Sequence, residues 1–415
     1  MKLLTFLGTG NYCETEYTWD KQSKVTCYAM VASASFLEAD EIVIFVTEKA
    51  KESHEQPLRQ ALLASQPEAK IEFVSIKEGK TESELWEIFS RVAESVQPED
   101  TVAFDVTHGL RSFPLIGLLA AAFLRSGFDI NLKAVLYGAY DVRNQEVTPN
   151  QTPMFDLTPL LTLLQWAVAA DRFNRSGDSR DFASLLKQQH KSLAIQLQND
   201  HHRLNQYKPI QKLADGLSEI SHSLALIRPA LAMQQIDSLE SQIKIALPLL
   251  DQNEQMRPFR MLLETTQKTY QPLALANPEA NPQQNLETQR RLIQWYAERE
   301  HWVQAVSLAR EWLVSWVMFH LNKCNFTDEN DRKEIEKKIN KEADDLIKAK
   351  KHKKDFKPGE LRELPHLEEV LGLWKALVDV RNDIDHAGMR PNPNSPSSLI
   401  SSIEKHIGAI MSLPL

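Results

Sequence analysis

Five short apolar runs alternate with segments of helical length over residues 1–145, and this alternation constrains the fold more than any other feature of the chain. The runs are Leu3–Leu7, Ile42–Val46, Ile71–Ile76, Val102–Val106 and Leu132–Tyr137, each rich in β-branched or aromatic residues, as buried parallel strands are. Between them lie Val25–Glu38, Glu55–Ser65, Glu82–Val96 and Ser112–Ser126, which the spacing predicts as helices. Ser83-Glu84 and Gly127 supply start and stop signals. Strand and helix in strict alternation predict an α/β domain with a Rossmann-like parallel sheet covered on both faces.

From Thr158 onward the strand signal ends and apolar residues recur at helical spacing, in Leu160–Val168, Phe182–Leu197, Ile210–Leu226 and Ile236–Leu250. Tyr270–Pro282 carries three prolines and no periodicity, which predicts a loop or linker. A long helix is predicted over Leu286–Leu321, with Trp295, Trp302, Trp312 and Trp316 as core residues. A charged stretch, Asp328–Lys357, follows, and then a helix over Leu367–Ala387 stopped by Gly388. The expected organisation is α/β plus all-α: 1–157 a Rossmann-like domain, 158–283 a helical linker region, and 284–415 a second helical domain.

Composition removes several classes. No run approaches the roughly 20 apolar residues of a membrane span, and no signal peptide is visible, so a cytoplasmic protein is expected. Cys13, Cys27 and Cys324 are scattered without metal-ligand spacing, which fits a reducing compartment and predicts no metal site. The net charge of −8 opposes a long nucleic-acid footprint, so an RNA partner would need a local basic patch. Lys348–Lys357 could be that patch or a solvated helix end.

In open parallel sheets, ligands bind beyond the carboxyl ends of the strands where strand order reverses. The first strand runs into Gly8-Thr9-Gly10-Asn11-Tyr12, and the fourth into Asp105-Val106-Thr107-His108-Gly109-Leu110-Arg111, just before a helix. Glycines admit close backbone approach, Thr and Asn add neutral donors, and a helix N-terminus with Arg111 adds positive charge, which together describe a phosphate site. The plainer reading is a tight turn at Gly8 and Gly10 and a structural His108. GTGNYC lacks the third glycine of a dinucleotide fingerprint, which disfavours a dehydrogenase.

Asp105-Val106-Thr107-His108-Gly109 resembles the D-x-T-H-G signature of CRISPR-associated proteins with a CARF (CRISPR-associated Rossmann fold) domain. LGTGNY at the start, YGAYD at Tyr137–Asp141 and Asp156-Leu157-Thr158-Pro159 resemble the same family, in the same order. The resemblance implies a sensor for cyclic oligoadenylate, with cyclic tetra-adenylate the expected activator and no other cofactor. It implies that Gly8, Thr9, Gly10 and Asn11, with Thr107, His108, Gly109 and Arg111, bind the ring. A ring of four nucleotides has near two-fold symmetry, which a homodimer or higher even oligomer would match. Asp105 would repel phosphate and is expected instead to hold its own loop through backbone N–H groups.

Arg381-Asn382-Asp383-Ile384-Asp385-His386 resembles the R-x4-H motif of HEPN ribonucleases, the usual partner of that sensor. Cleavage of single-stranded RNA by its own 2′-hydroxyl needs proton transfer and positive charge on the phosphorane oxygens. His386 suits the first task near neutral pH and Arg381 the second, without metal. Asn382 would orient the helix or the scissile phosphate. Residues five apart diverge by about 140° on an ideal helix, so the resemblance implies two motifs facing each other across a dimer. The plainer reading is an Arg381–Asp385 ion pair and a His386 that merely suits a helix C-terminus. The expected function is a cyclic oligoadenylate-activated endoribonuclease of type III CRISPR defence. The alternatives are a protein that binds or degrades the ring, or a ligand-responsive regulator without enzymatic activity.

Overall fold

A computed structural model describes residues 1–196, 201–254, 256–389 and 391–415. It divides into two compact units, Met1–Gln165 and Trp166–Leu415.

The first unit contains β1 (Lys2–Leu7), β2 (Thr15–Trp19), β3 (Gln22–Thr26), α1 (Ala29–Leu37), β4 (Glu41–Val46), α2 (Glu48–Ser65), β5 (Lys70–Ser75), α3 (Glu82–Glu94), β6 (Thr101–Asp105), α4 (Ser112–Gly127), β7 (Asn131–Gly138) and β8 (Gln151–Asp156). Its eight strands are ordered β3-β2-β8-β7-β6-β1-β4-β5. The five expected strands form a continuous parallel block, β7-β6-β1-β4-β5, that reaches one edge of the sheet. The chain steps outward from β1 through β4 to β5, then returns to the other side of β1 with β6. Strand order therefore reverses between β1 and β6. Successive side chains on a strand face opposite ways. Leu3 and Leu7 accordingly join the core under α1 and α2, and Leu4 and Phe6 join the core under α3 and α4.

The sheet is mixed at one end. β8 runs antiparallel to β7, and the β2–β3 hairpin pairs through β2 with β8. Val25 and Thr26 belong to β3 and the helix begins at Ala29, so the expected helical start at Val25 is corrected. α2 starts at Glu48 rather than Glu55, because the Thr47 side chain caps it by accepting the Ala50 N–H at 3.4 Å.

α5 (Thr158–Ser176) starts in the first unit and ends in the second. There it is followed by α6 (Arg180–Gln196), α7 (His201–Gln206), α8 (Lys208–Ala225), α9 (Pro229–Asp251) and α10 (Phe259–Tyr270). The end of the expected Phe182–Leu197 helix, Leu197, lies outside the described residues. Then come α11 (Pro282–Glu298), α12 (Trp302–His320), α13 (Glu329–Lys351), α14 (Leu367–Asp385) and α15 (Pro396–Ser412). Buried residues from Trp166 to Leu413 form one cluster, so 158–283 and 284–415 contribute to the same core. Trp312 and Trp316 are fully buried, with indole N–H groups donating to the Leu286 and Pro414 carbonyls.

The expected single helix over Leu286–Leu321 is two helices. Glu300 adopts a left-handed φ of 59°. The N–H of His301 then donates to the Tyr296 carbonyl and that of Glu300 to the Ala297 carbonyl, which closes α11. No glycine marks this stop, and the apolar period runs on through it. Lys348, Lys350 and Lys351 occupy the exposed last turn of α13, where cations complement the helix dipole.

Candidate functional site

The loops after β1 and β6 meet at the point where strand order reverses. A Cβ built on Gly8 would lie 3.0 Å from Gly109 Cα and 3.1 Å from its nitrogen, so the two backbones abut and a side chain there would push them a few tenths of an ångström apart. Gly109 itself has φ 111°, a conformation open to glycine, and its missing Cβ would fall 2.7 Å from the Phe113 ring.

Asp105 is fully buried beneath this junction. Its Oδ1 accepts the Thr107 N–H at 2.9 Å, and Oδ2 accepts the Ser33 hydroxyl. Burial pushes its carboxyl up, and the Ser33 and Thr107 hydrogen bonds oppose that rise. The carboxylate thus ties down its own loop. Thr107 Oγ1 in turn accepts the Gly138 N–H at 2.8 Å, fastening the loop to the end of β7.

His108 is 9% exposed, and its Nε2 accepts the N–H of Ala29, the first residue of α1, at 3.0 Å. A ring nitrogen that accepts carries no proton. Burial, with the neighbouring His54, pushes the imidazole down to about 4, so it is neutral at pH 7. Tyr12 lies against it, ring centroids 4.4 Å apart, and also against His54 at 4.8 Å and Tyr28 at 5.3 Å. The Tyr12 hydroxyl accepts the Gly8 N–H at 3.0 Å, and burial pushes its own ionisation up to about 12.

A cavity of about 440 Å³ opens over this junction. Of the expected ligand residues, Gly8, Thr9, Gly10, Thr107, His108 and Gly109 line it. Asn11 lines instead a neighbouring cavity of about 230 Å³, together with Thr107 and His108. Arg111 lines neither; it stands exposed at the start of α4 and pairs with no carboxylate among the described residues. Lys49 and Lys80 also line the larger cavity, and sequence reasoning missed both. Glu78 pairs with Lys80 and lies 3.6 Å from Lys49; the Lys80 contact holds its carboxyl below the usual range. The rule that directed attention to the ends of β1 and β6 applies equally to β4 and β5, and would have found both lysines.

The second expected site lies in the other unit, at the C-terminal end of α14. Arg381 and Asn382 are half-buried, and His386 is the exposed C-cap. The helix stops through Ala387 at φ 51°: the Gly388 N–H donates to the Asp383 carbonyl, and the Ala387 N–H to that of Ile384. Gly388 is therefore the second residue past the cap, and Ala387 takes the left-handed position. Arg381 Nε lies 2.9 Å from Asp385 Oδ2, the ion pair of the plainer reading. Asn382 gives its carbonyl to the His386 N–H at 3.1 Å. Asp383 is buried and accepts from the Asn394 amide at 2.7 Å, folding the following loop back onto the helix. Among the described residues no His, Cys, Asp or Glu side chains gather in threes as for a metal. No described helix is long and apolar enough to cross a membrane.

Residues 2–141 match the family described as the CARF domain of the CRISPR system endoribonuclease Csx1. Residues 162–272 match the second domain of the CRISPR-associated protein MJ1674. That protein, from Methanocaldococcus jannaschii, is 28% identical over 159 residues, 38% of this chain and 23% of its own length. A solved structure of Enterococcus italicus Csm6 bound to cyclic hexa-2′-fluoro-hexa-dAMP aligns with 99% of this chain and 92% of its own. Its TM-score is 0.42 and its identity 10%. The N-terminal unit is thus similar to CARF domains of CRISPR-associated proteins.

Proposed function

We propose that this protein is a CRISPR-associated endoribonuclease that binds a cyclic oligoadenylate between the β1 and β6 loops and then cuts single-stranded RNA with Arg381 and His386. One observation carries the reading: the cavity at the strand-order reversal is lined by the glycine and threonine residues of the two loops on which the CARF resemblance rests. Lys49 and Lys80 in its lining suit phosphates.

In this reading His386 moves the protons of the 2′-hydroxyl and the leaving 5′-oxygen, and Arg381 holds the phosphorane oxygens. Asn382 orients the helix end. A homodimer brings two such motifs together and offers the ring two copies of each loop. The exposure of His386 supports this, since a shuttling imidazole needs access to the RNA. Activation requires that the ring bind the competent state more tightly than the idle one.

Labelled single-stranded RNA incubated with the protein in EDTA, with and without cyclic tri-, tetra- or hexa-adenylate, tests this. Cleavage is expected only with a ring, and to fall at least about 100-fold in His386→Ala and in Arg381→Ala. Consumption of the ring with intact RNA would instead make the chain a ring nuclease. Binding without any cleavage would make it a ligand-responsive regulator.

A further inference from the structure

Tyr12, Thr107 and His108 line both the 440 Å³ cavity and the 230 Å³ cavity, and so form the wall between them. All three accept a backbone N–H: Thr107 from Gly138, His108 from Ala29 and Tyr12 from Gly8, with Gly10 also near the Tyr12 hydroxyl. Of Gly138, Ala29 and Gly8, only Gly8 itself lines the larger cavity. Gly8 directly follows β1 at the reversal point, so its N–H is a donor that a phosphate in the larger cavity would reach for. In this structure a tyrosine hydroxyl occupies it.

We propose that Tyr12 is a movable partition: a phosphodiester-linked nucleotide takes the Gly8 N–H from the Tyr12 hydroxyl, the ring leaves the wall, and the two cavities join. This rests on the nucleotide reading of the cavity and adds the gate to it. Relative strengths favour the exchange, because a hydrogen bond to an ionised phosphate is roughly twice as strong as one to a neutral hydroxyl. The smaller cavity beyond offers what a nucleobase needs. Tyr17 and Tyr140 provide aromatic surface, and Asn11 and Asp141 provide polar groups. The phosphate then sits at Gly8 and its base behind the displaced ring.

Full-length wild-type protein and Tyr12→Phe are titrated with cyclic tri-, tetra- and hexa-adenylate by calorimetry. Phenylalanine keeps the ring packing and leaves the Gly8 N–H free, so the best-bound ring should bind about three- to tenfold more tightly. Equal or weaker binding overturns the partition, because the hydroxyl then contributes nothing to closure or contacts the ligand itself. A second readout needs no folded variant: in fluorotyrosine-labelled wild-type protein the Tyr12 resonance should shift on ring binding. An unmoved resonance overturns the gate while leaving the nucleotide site standing. If wild-type protein binds none of the three rings, the nucleotide reading fails and the gate falls with it.

Discussion

His108 stands among residues expected around a phosphate, yet burial, with His54 beside it, keeps its ring neutral, and Nε2 accepts the first N–H of α1. It contributes shape and a fixed loop, not charge. An unfolded histidine titrates near 6.5 and this one near 4, so between those values the unfolded chain binds the extra proton. The contribution of this residue is therefore constant above about pH 7 and falls as pH drops through 6.5, by about 2 kcal/mol at pH 5. Denaturant unfolding followed at pH 7 and pH 5 should show a loss in the wild type that shrinks by about that amount in His108→Gln. Arg381 is the reverse case, a charged residue whose partner was legible four positions away. The Asp385 ion pair is about two-fifths exposed on both sides and so is worth under about 1 kcal/mol. Asp385→Asn should accordingly raise ring-independent RNA cleavage by no more than about fivefold; a larger rise would make this ion pair the main brake. The role of Tyr12 was not legible, since it depends on His54, Tyr28 and His108, which only the fold brings around one ring.

At the scale of elements, what the sequence reveals depends on whether a signal is local. β1, β4 and β6 are buried on both faces, so they read as nearly continuous apolar runs and their positions match the expected ones within a residue. The β2–β3 hairpin and β8 lie toward one end of the sheet, mix polar with apolar residues, and were missed. The break between α11 and α12 hides for a related reason: Glu300 takes a conformation that normally announces itself as glycine. That left-handed residue costs about 1 kcal/mol. Glu300→Gly should recover part of it and raise the melting temperature of the protein by about 2 °C. A drop on calorimetry would show that the Glu300 side chain contributes more than its backbone costs.

For the whole molecule, a chain of net charge −8 must localise any attraction to RNA, and the exposed lysines ending α13 are one such place. The class of each unit was legible because a period of two or of 3.6 survives in the residues themselves. How the helices share their burial was not, because a helical period shows that one face is apolar and not which partner covers it. A hundredfold activation of cleavage would require the ring to prefer the competent state by about 2.7 kcal/mol. Two new charge-assisted hydrogen bonds are enough for that.

The common core from Trp166 to Leu413 has a practical consequence for anyone who wants the parts in isolation. The proline-rich stretch near residue 280 looks like a hinge at which to divide the gene, but scissors placed there would lay bare the indoles and aliphatic side chains on both sides. A fragment that is to fold without such exposure must keep both helical stretches, 166–283 and 284–415, together.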